Sequence, residues 1–84
     1  MNKAKILELL GDILDIEKQN LLEMPIDTKL SDLGLSSIQF IQFIVALEEE
    51  FEIEILDSDL MMSNFETIEI LYKTLDKYFS SKNI

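Results

Sequence analysis

Three stretches of the chain set apolar residues at helical spacing, and a fourth crowds them without any period. Ile6, Leu7, Leu10, Ile13 and Leu14 form one stripe of a helix over about residues 2–14, with Glu8 and Asp12 off the stripe. Gly11 weakens that helix by about 1 kcal/mol relative to Ala, which length and packing absorb. A second helix is predicted over residues 37–51. The last is predicted over about residues 66–79, where Phe65, Ile68, Leu71, Tyr72, Leu75, Tyr78 and Phe79 keep the period. A short helix is predicted over about residues 57–62, with Asp57 or Ser58 as its cap.

Residues 15–36 hold the crowded stretch and read as a long connection. Met24–Pro25 argues against a continuous helix, because proline pushes its predecessor towards extended backbone. Yet Leu21, Leu22, Ile26, Leu30, Leu33 and Leu35 are too apolar for a solvated loop. The expectation is therefore a loop pinned to the bundle by its leucines. No repeat or low-complexity stretch divides the chain, so residues 1–84 are expected to form one domain. The fold class is all-α: a small four-helix bundle of three longer helices and one short one, with a long loop between the first two.

The 37–51 helix has more apolar surface than a small bundle needs. Around its axis, Phe40, Phe43, Ile44, Leu47 and Phe51 fall within an arc of about 100°, which suffices as a core face. Ile38, Ile41 and Val45 form a second arc beside Ser37, bordered by Gln42, Glu48 and Glu49. Loop leucines covering Ile38 and an exposed docking strip are equally good readings for that residue. Ile41 and Val45 read as docking surface.

Two serines stand at the head of this helix. Ser36 and Gln39, three residues apart, fit a capping box in which the Ser36 hydroxyl accepts from the Gln39 amide. Ser37 then becomes the first helical residue, with no capping duty and an exposed hydroxyl. A phosphate there would meet free amides and the positive end of the helix dipole.

Composition narrows the chemistry. The chain has no His and no Cys, which removes the imidazole base, the thiol nucleophile and ordinary zinc sites. An EF-hand sought in residues 57–68 fails, with Met62 at the sixth position and Ile68 at the twelfth. Net charge is −10, and all of it lies between Leu30 and Tyr72, where ten acids face no Lys. Such a field disfavours nucleic acid and anionic membranes and favours a basic protein surface. No signal peptide appears, and no apolar run nears the ~20 residues that span a bilayer. A cytoplasmic monomer is expected. Lysine without arginine, beside many isoleucines, hints at an AT-rich bacterial source.

The stretch "DLGLSSIQFIQFIVALEEEFEIEI" resembles the central segment of acyl and peptidyl carrier proteins. An Asp-Leu-Gly run, a Ser-Ile pair at the head of the helix, the "LEEEF" end and the later "NFETIEIL" stand in that family's order. The resemblance implies a carrier and not an enzyme, with 4′-phosphopantetheine joined to Ser37 and a thioester-bound intermediate held on its arm. Its implied partners are a phosphopantetheinyl transferase, an adenylating ligase or acyltransferase, and downstream synthase or condensing enzymes. Ser36 stands where the family often has Asp, and Gln39 and Gln42 where fatty-acid carriers commonly have acids. Those departures favour a dedicated polyketide or nonribosomal peptide pathway. Met1 and the tapering "SSKNI" end suggest a free-standing protein. The alternative is an unmodified acidic helical adaptor for a basic partner.

Overall fold

The computed structural model describes residues 2–81, so the ends of the expected 1–84 domain lie outside the described residues. Four helices follow one another: α1 (Lys3–Leu14), α2 (Lys18–Glu23), α3 (Ser37–Phe51) and α4 (Ile68–Ser81). Three are long and α2 is short, and the chain between α2 and α3 runs as a loop ending in a 3-10 turn at Leu30–Leu33. The radius of gyration, 11.9 Å, matches the ~12 Å expected of a compact chain of this length.

One core joins all four helices. Leu7 and Leu10 of α1, Leu21 of α2, Phe43 and Leu47 of α3, and Leu71 and Leu75 of α4 are almost wholly buried. No polar or charged side chain is buried with them among the described residues, so burial of apolar area is the main term holding the bundle. Phe40 meets the Phe65 ring edge-on at 5.1 Å, tying the middle of the chain to the approach to α4.

Local chemistry explains where the helices begin and end. The Asn2 side chain caps α1 by accepting from the Lys5 amide at 3.0 Å. Both α1 and α3 end on an acidic residue in the left-handed region, Asp15 (φ 59°) and Glu52 (φ 53°). Gly34 (φ 96°) does the same for the 3-10 turn before α3, and there a side chain would be strained. α4 starts at Ile68, two residues later than the period suggests, because Thr67 Oγ1 accepts from the Ile70 amide and serves as its cap.

Two segments depart from the sequence reading. The short helix is α2, inside the supposed loop, and not residues 57–62. Six residues with one buried leucine show no readable period, and Met24 turns extended before Pro25 to end the helix. At 57–62 the chain forms two 3-10 turns, Asp57–Asp59 and Met62–Phe65, with Leu56 before the first and no side-chain cap. Asp57 and Ser58 do not cap it. Polar bonds to α4 hold this segment in its turns.

The loop is pinned differently from the expectation too. Leu21, Leu30 and Leu35 are buried and Leu33 packs partly against the core, but Leu22 and Ile26 remain 45% and 54% exposed. Backbone bonds do the rest. The Leu30 amide donates to the Glu66 carbonyl at 2.8 Å, and the Glu69 and Ile68 amides donate to the carbonyls of Ile26 (2.8 Å) and Thr28 (3.3 Å). Lys29 and Thr67 thereby form an antiparallel bridge, and the first amides of α4 find acceptors in the loop.

Candidate functional site

The head of α3 is built by the two residues that the sequence pairs. The Ser36 hydroxyl accepts from the Gln39 amide at 3.2 Å, and the Gln39 side-chain oxygen accepts from the Ser36 amide at 3.0 Å. Gln39 does more than the pattern suggests, since its Nε2 also donates to the Ile13 carbonyl at 3.3 Å and links α3 to the end of α1. No sequence signal marked that link. Gly34 and the preceding turn bring the chain to Ser36 in extended backbone, so α3 begins abruptly.

Ser37 is the first residue of α3. Its hydroxyl is exposed and has no hydrogen-bond partner among the described residues. The Ser37 and Ile38 amides likewise have no acceptor among those residues, as expected of the first turn of a helix. A phosphodiester on this hydroxyl fits the position: it finds space, unengaged donors and the positive end of a fifteen-residue helix.

The second apolar arc of α3 stays uncovered. Ile38, Ile41 and Val45 are 71%, 62% and 45% exposed, while Phe40, Phe43, Ile44 and Leu47 face the core. The loop leucines do not cover Ile38. Beside the strip opens a groove of about 450 Å³, lined by Ser37, Phe40, Ile41, Ile44, Val45 and Glu48 on α3 and by Leu60 and Met62 opposite. Ser37 stands at this groove.

The acids at the far end of α3 differ in their engagement. Glu48 is half-buried and its carboxylate accepts from the Ile55 amide at 3.0 Å, holding the chain that leaves α3. Glu50 lies 3.7 Å from the Lys5 ammonium of α1. The side chains of Glu49 and Gln42 are exposed and bond to nothing among the described residues. Of the acidic docking candidates, Glu49 is the one left to face outward.

Among the described residues no cluster of acids could hold a metal ion, and no helix is long and apolar enough to cross a membrane. A bundle that displays a serine at a helix head beside an apolar strip has the form of a carrier. The chain belongs to the phosphopantetheine-binding carrier proteins: residues 4–75 match the family described as the phosphopantetheine attachment site. It is 34% identical over 81 residues to the acyl carrier protein of Buchnera aphidicola subsp. Schizaphis graminum (strain Sg), covering 96% of this chain and 92% of that one. Identity with the acyl carrier protein of Buchnera aphidicola subsp. Acyrthosiphon pisum (strain 5A) is 31% over 82 residues, covering 98% and 92%. Proteins of this family are carriers and not enzymes, and their cofactor is covalently bound 4′-phosphopantetheine.

Proposed function

We propose that Ser37 is the residue that receives phosphopantetheine, and that the protein presents the tethered intermediate to enzymes that read α3. The observation that carries this is the division of labour at the helix head. Ser36 is bound into the capping box, whereas the Ser37 hydroxyl is exposed and unengaged. The arm supplies the thiol that this chain, without cysteine, lacks. The chain's own residues hold the attachment point rigid, offer amides to the phosphate and present Ile38, Ile41, Gln42, Val45 and Glu49 for recognition. Tethering raises the effective concentration of the cargo at each partner.

The partners fitting this surface are a phosphopantetheinyl transferase, an adenylating ligase or acyltransferase that loads the arm, and synthase or condensing enzymes downstream. A free-standing carrier in a dedicated polyketide or nonribosomal peptide type of pathway is the reading we favour. Its support is the face around Ser37, where Ser36, Gln39 and Gln42 are uncharged and acids begin only at Glu48. Incubation with coenzyme A and a broad-specificity transferase should add one phosphopantetheine, seen by intact mass. Ser37→Ala should abolish the addition without loss of fold. Ser36→Ala should still accept it, while losing about 0.5–2 kcal/mol of stability with its cap. Addition at Ser36 would overturn the assignment to Ser37, and no addition with any transferase would favour the unmodified adaptor instead.

A further inference from the structure

Two helix ends meet at Gln39, and each asks the opposite of it. The head of α3 has amides in want of acceptors, and the end of α1 has carbonyls in want of donors. At α3 the Gln39 side-chain oxygen accepts from the Ser36 amide at 3.0 Å. At α1 the Asp15 and Ile16 amides both turn back to the Gly11 carbonyl, so no backbone amide among the described residues reaches the carbonyl of Ile13. Gln39 Nε2 donates to it instead, at 3.3 Å. Only one orientation of the side-chain amide works. Turned over, it would set donor against donor at Ser36 and acceptor against acceptor at Ile13. A carboxylate of the same length would suit the positive head of α3 but repel the Ile13 carbonyl at the negative end of α1. The neutral amide serves both.

Leu35 and Phe40 are buried, and the residues between them, Ser36 to Gln39, are not. Among the described residues, Gln39 alone of these forms a hydrogen bond to another helix. Given Ser37 as the attachment point, a reading on which this rests, we propose that Gln39 is a positioning residue for the attachment of phosphopantetheine. Its bond to Ile13 clamps the head of α3 to the end of α1 and fixes the direction in which Ser37 offers its hydroxyl. In the attachment step the Ser37 oxygen bonds to the phosphorus that bears the pantetheine in coenzyme A. The bond from that phosphorus to the adenosine bisphosphate leaving group breaks, and the hydroxyl proton passes to a base of the transferase. The attacking oxygen must stand in line with the leaving group, so a helix head that pivots spends less of its time in reactive geometry. Ile41 and Val45 lie further along α3, and loss of the clamp leaves them in place for recognition.

Two variants of the whole protein separate the clamp from the cap and from charge. Gln39→Glu keeps an acceptor for the Ser36 amide and loses the donor to Ile13. Gln39→Met loses both and adds no charge, so what the two share is the lost tie to α1. On the unmodified chain, amide nitrogen relaxation at Ser36, Ser37 and Ile38 should fall in both variants from the rigid-backbone order parameter of about 0.85. Phe43 and Leu47 should keep theirs. With coenzyme A and a transferase, at a temperature where circular dichroism shows each variant folded, kcat should fall about three- to tenfold, the loss of roughly one hydrogen bond. KM for the carrier should stay within about twofold, because the recognition strip is intact. The parent and Ser37→Ala are measured first. A parent that takes no phosphopantetheine, or takes it without Ser37, defeats the reading of Ser37, and the order parameters still decide the clamp. Unchanged order in both variants would overturn the clamp. Lowered order with unchanged kcat would leave Gln39 a structural tie and overturn its part in the attachment.

Discussion

A β-carbon built on Gly11 would stand 2.3 Å from the Ile16 carbonyl oxygen, closer than any real contact. That oxygen cannot easily retreat, because the Ile16 amide is bonded to the Gly11 carbonyl at 2.9 Å and Asp15 is already in the left-handed region. Helix propensity alone makes Gly11→Ala favourable by about 1 kcal/mol. The clash should win. Gly11→Ala is expected to lose about 1–3 kcal/mol in denaturant unfolding, in the manner of an overpacked core. A variant more stable than the parent would show that the turn after α1 yields. From the sequence, Gly11 reads only as a weak link in a stripe of leucines. Its reason lies in a turn that folds back five residues later, and spacing does not report such a return. The serine pair was legible for the opposite reason: capping is a contact between neighbours, written in types and offsets.

At the scale of the element, α3 tests whether two apolar arcs have two duties. Ile44 is buried and Val45, its neighbour, is nearly half exposed. Ile44→Lys should unfold the domain by burying an unpaired charge. Val45→Lys should melt within about 0.5 kcal/mol of the parent, as surface changes usually do. It should nevertheless slow loading of the arm, since it sets a cation where a basic enzyme surface would approach. Thermal unfolding beside loading rate for both variants decides the matter, and a Val45→Lys that unfolds would place that arc in the core. Both arcs were legible because α3 is long enough for its period to repeat. The shorter elements were not: α2 has too few residues to show a face, and the turns of residues 56–64 are held by Thr74, Lys77 and Tyr78, which belong to another helix.

For the molecule as a whole, the three long helices followed from their apolar pattern, but the place of the short one and the means of closing the bundle did not. Residues 26–30 and 66–69 are joined through main-chain groups, with Ile26 and Thr28 lending carbonyls and Leu30 an amide. Every residue except proline has the same groups, so nothing in the choice of side chain announces this seam. It follows that the seam is nearly mute to side-chain mutagenesis. Ile26 is 54% exposed, and Ile26→Ala should shift stability by no more than about 0.5 kcal/mol. Replacing the Glu69 amide with an ester removes the donor that Ile26 receives at 2.8 Å and should cost about 1 kcal/mol. Chemical synthesis and calorimetry of the two variants make the comparison. A bundle closed this way can let its loop drift in composition while the path of the loop stays put, since what the seam reads is the shape of the chain and not its letters.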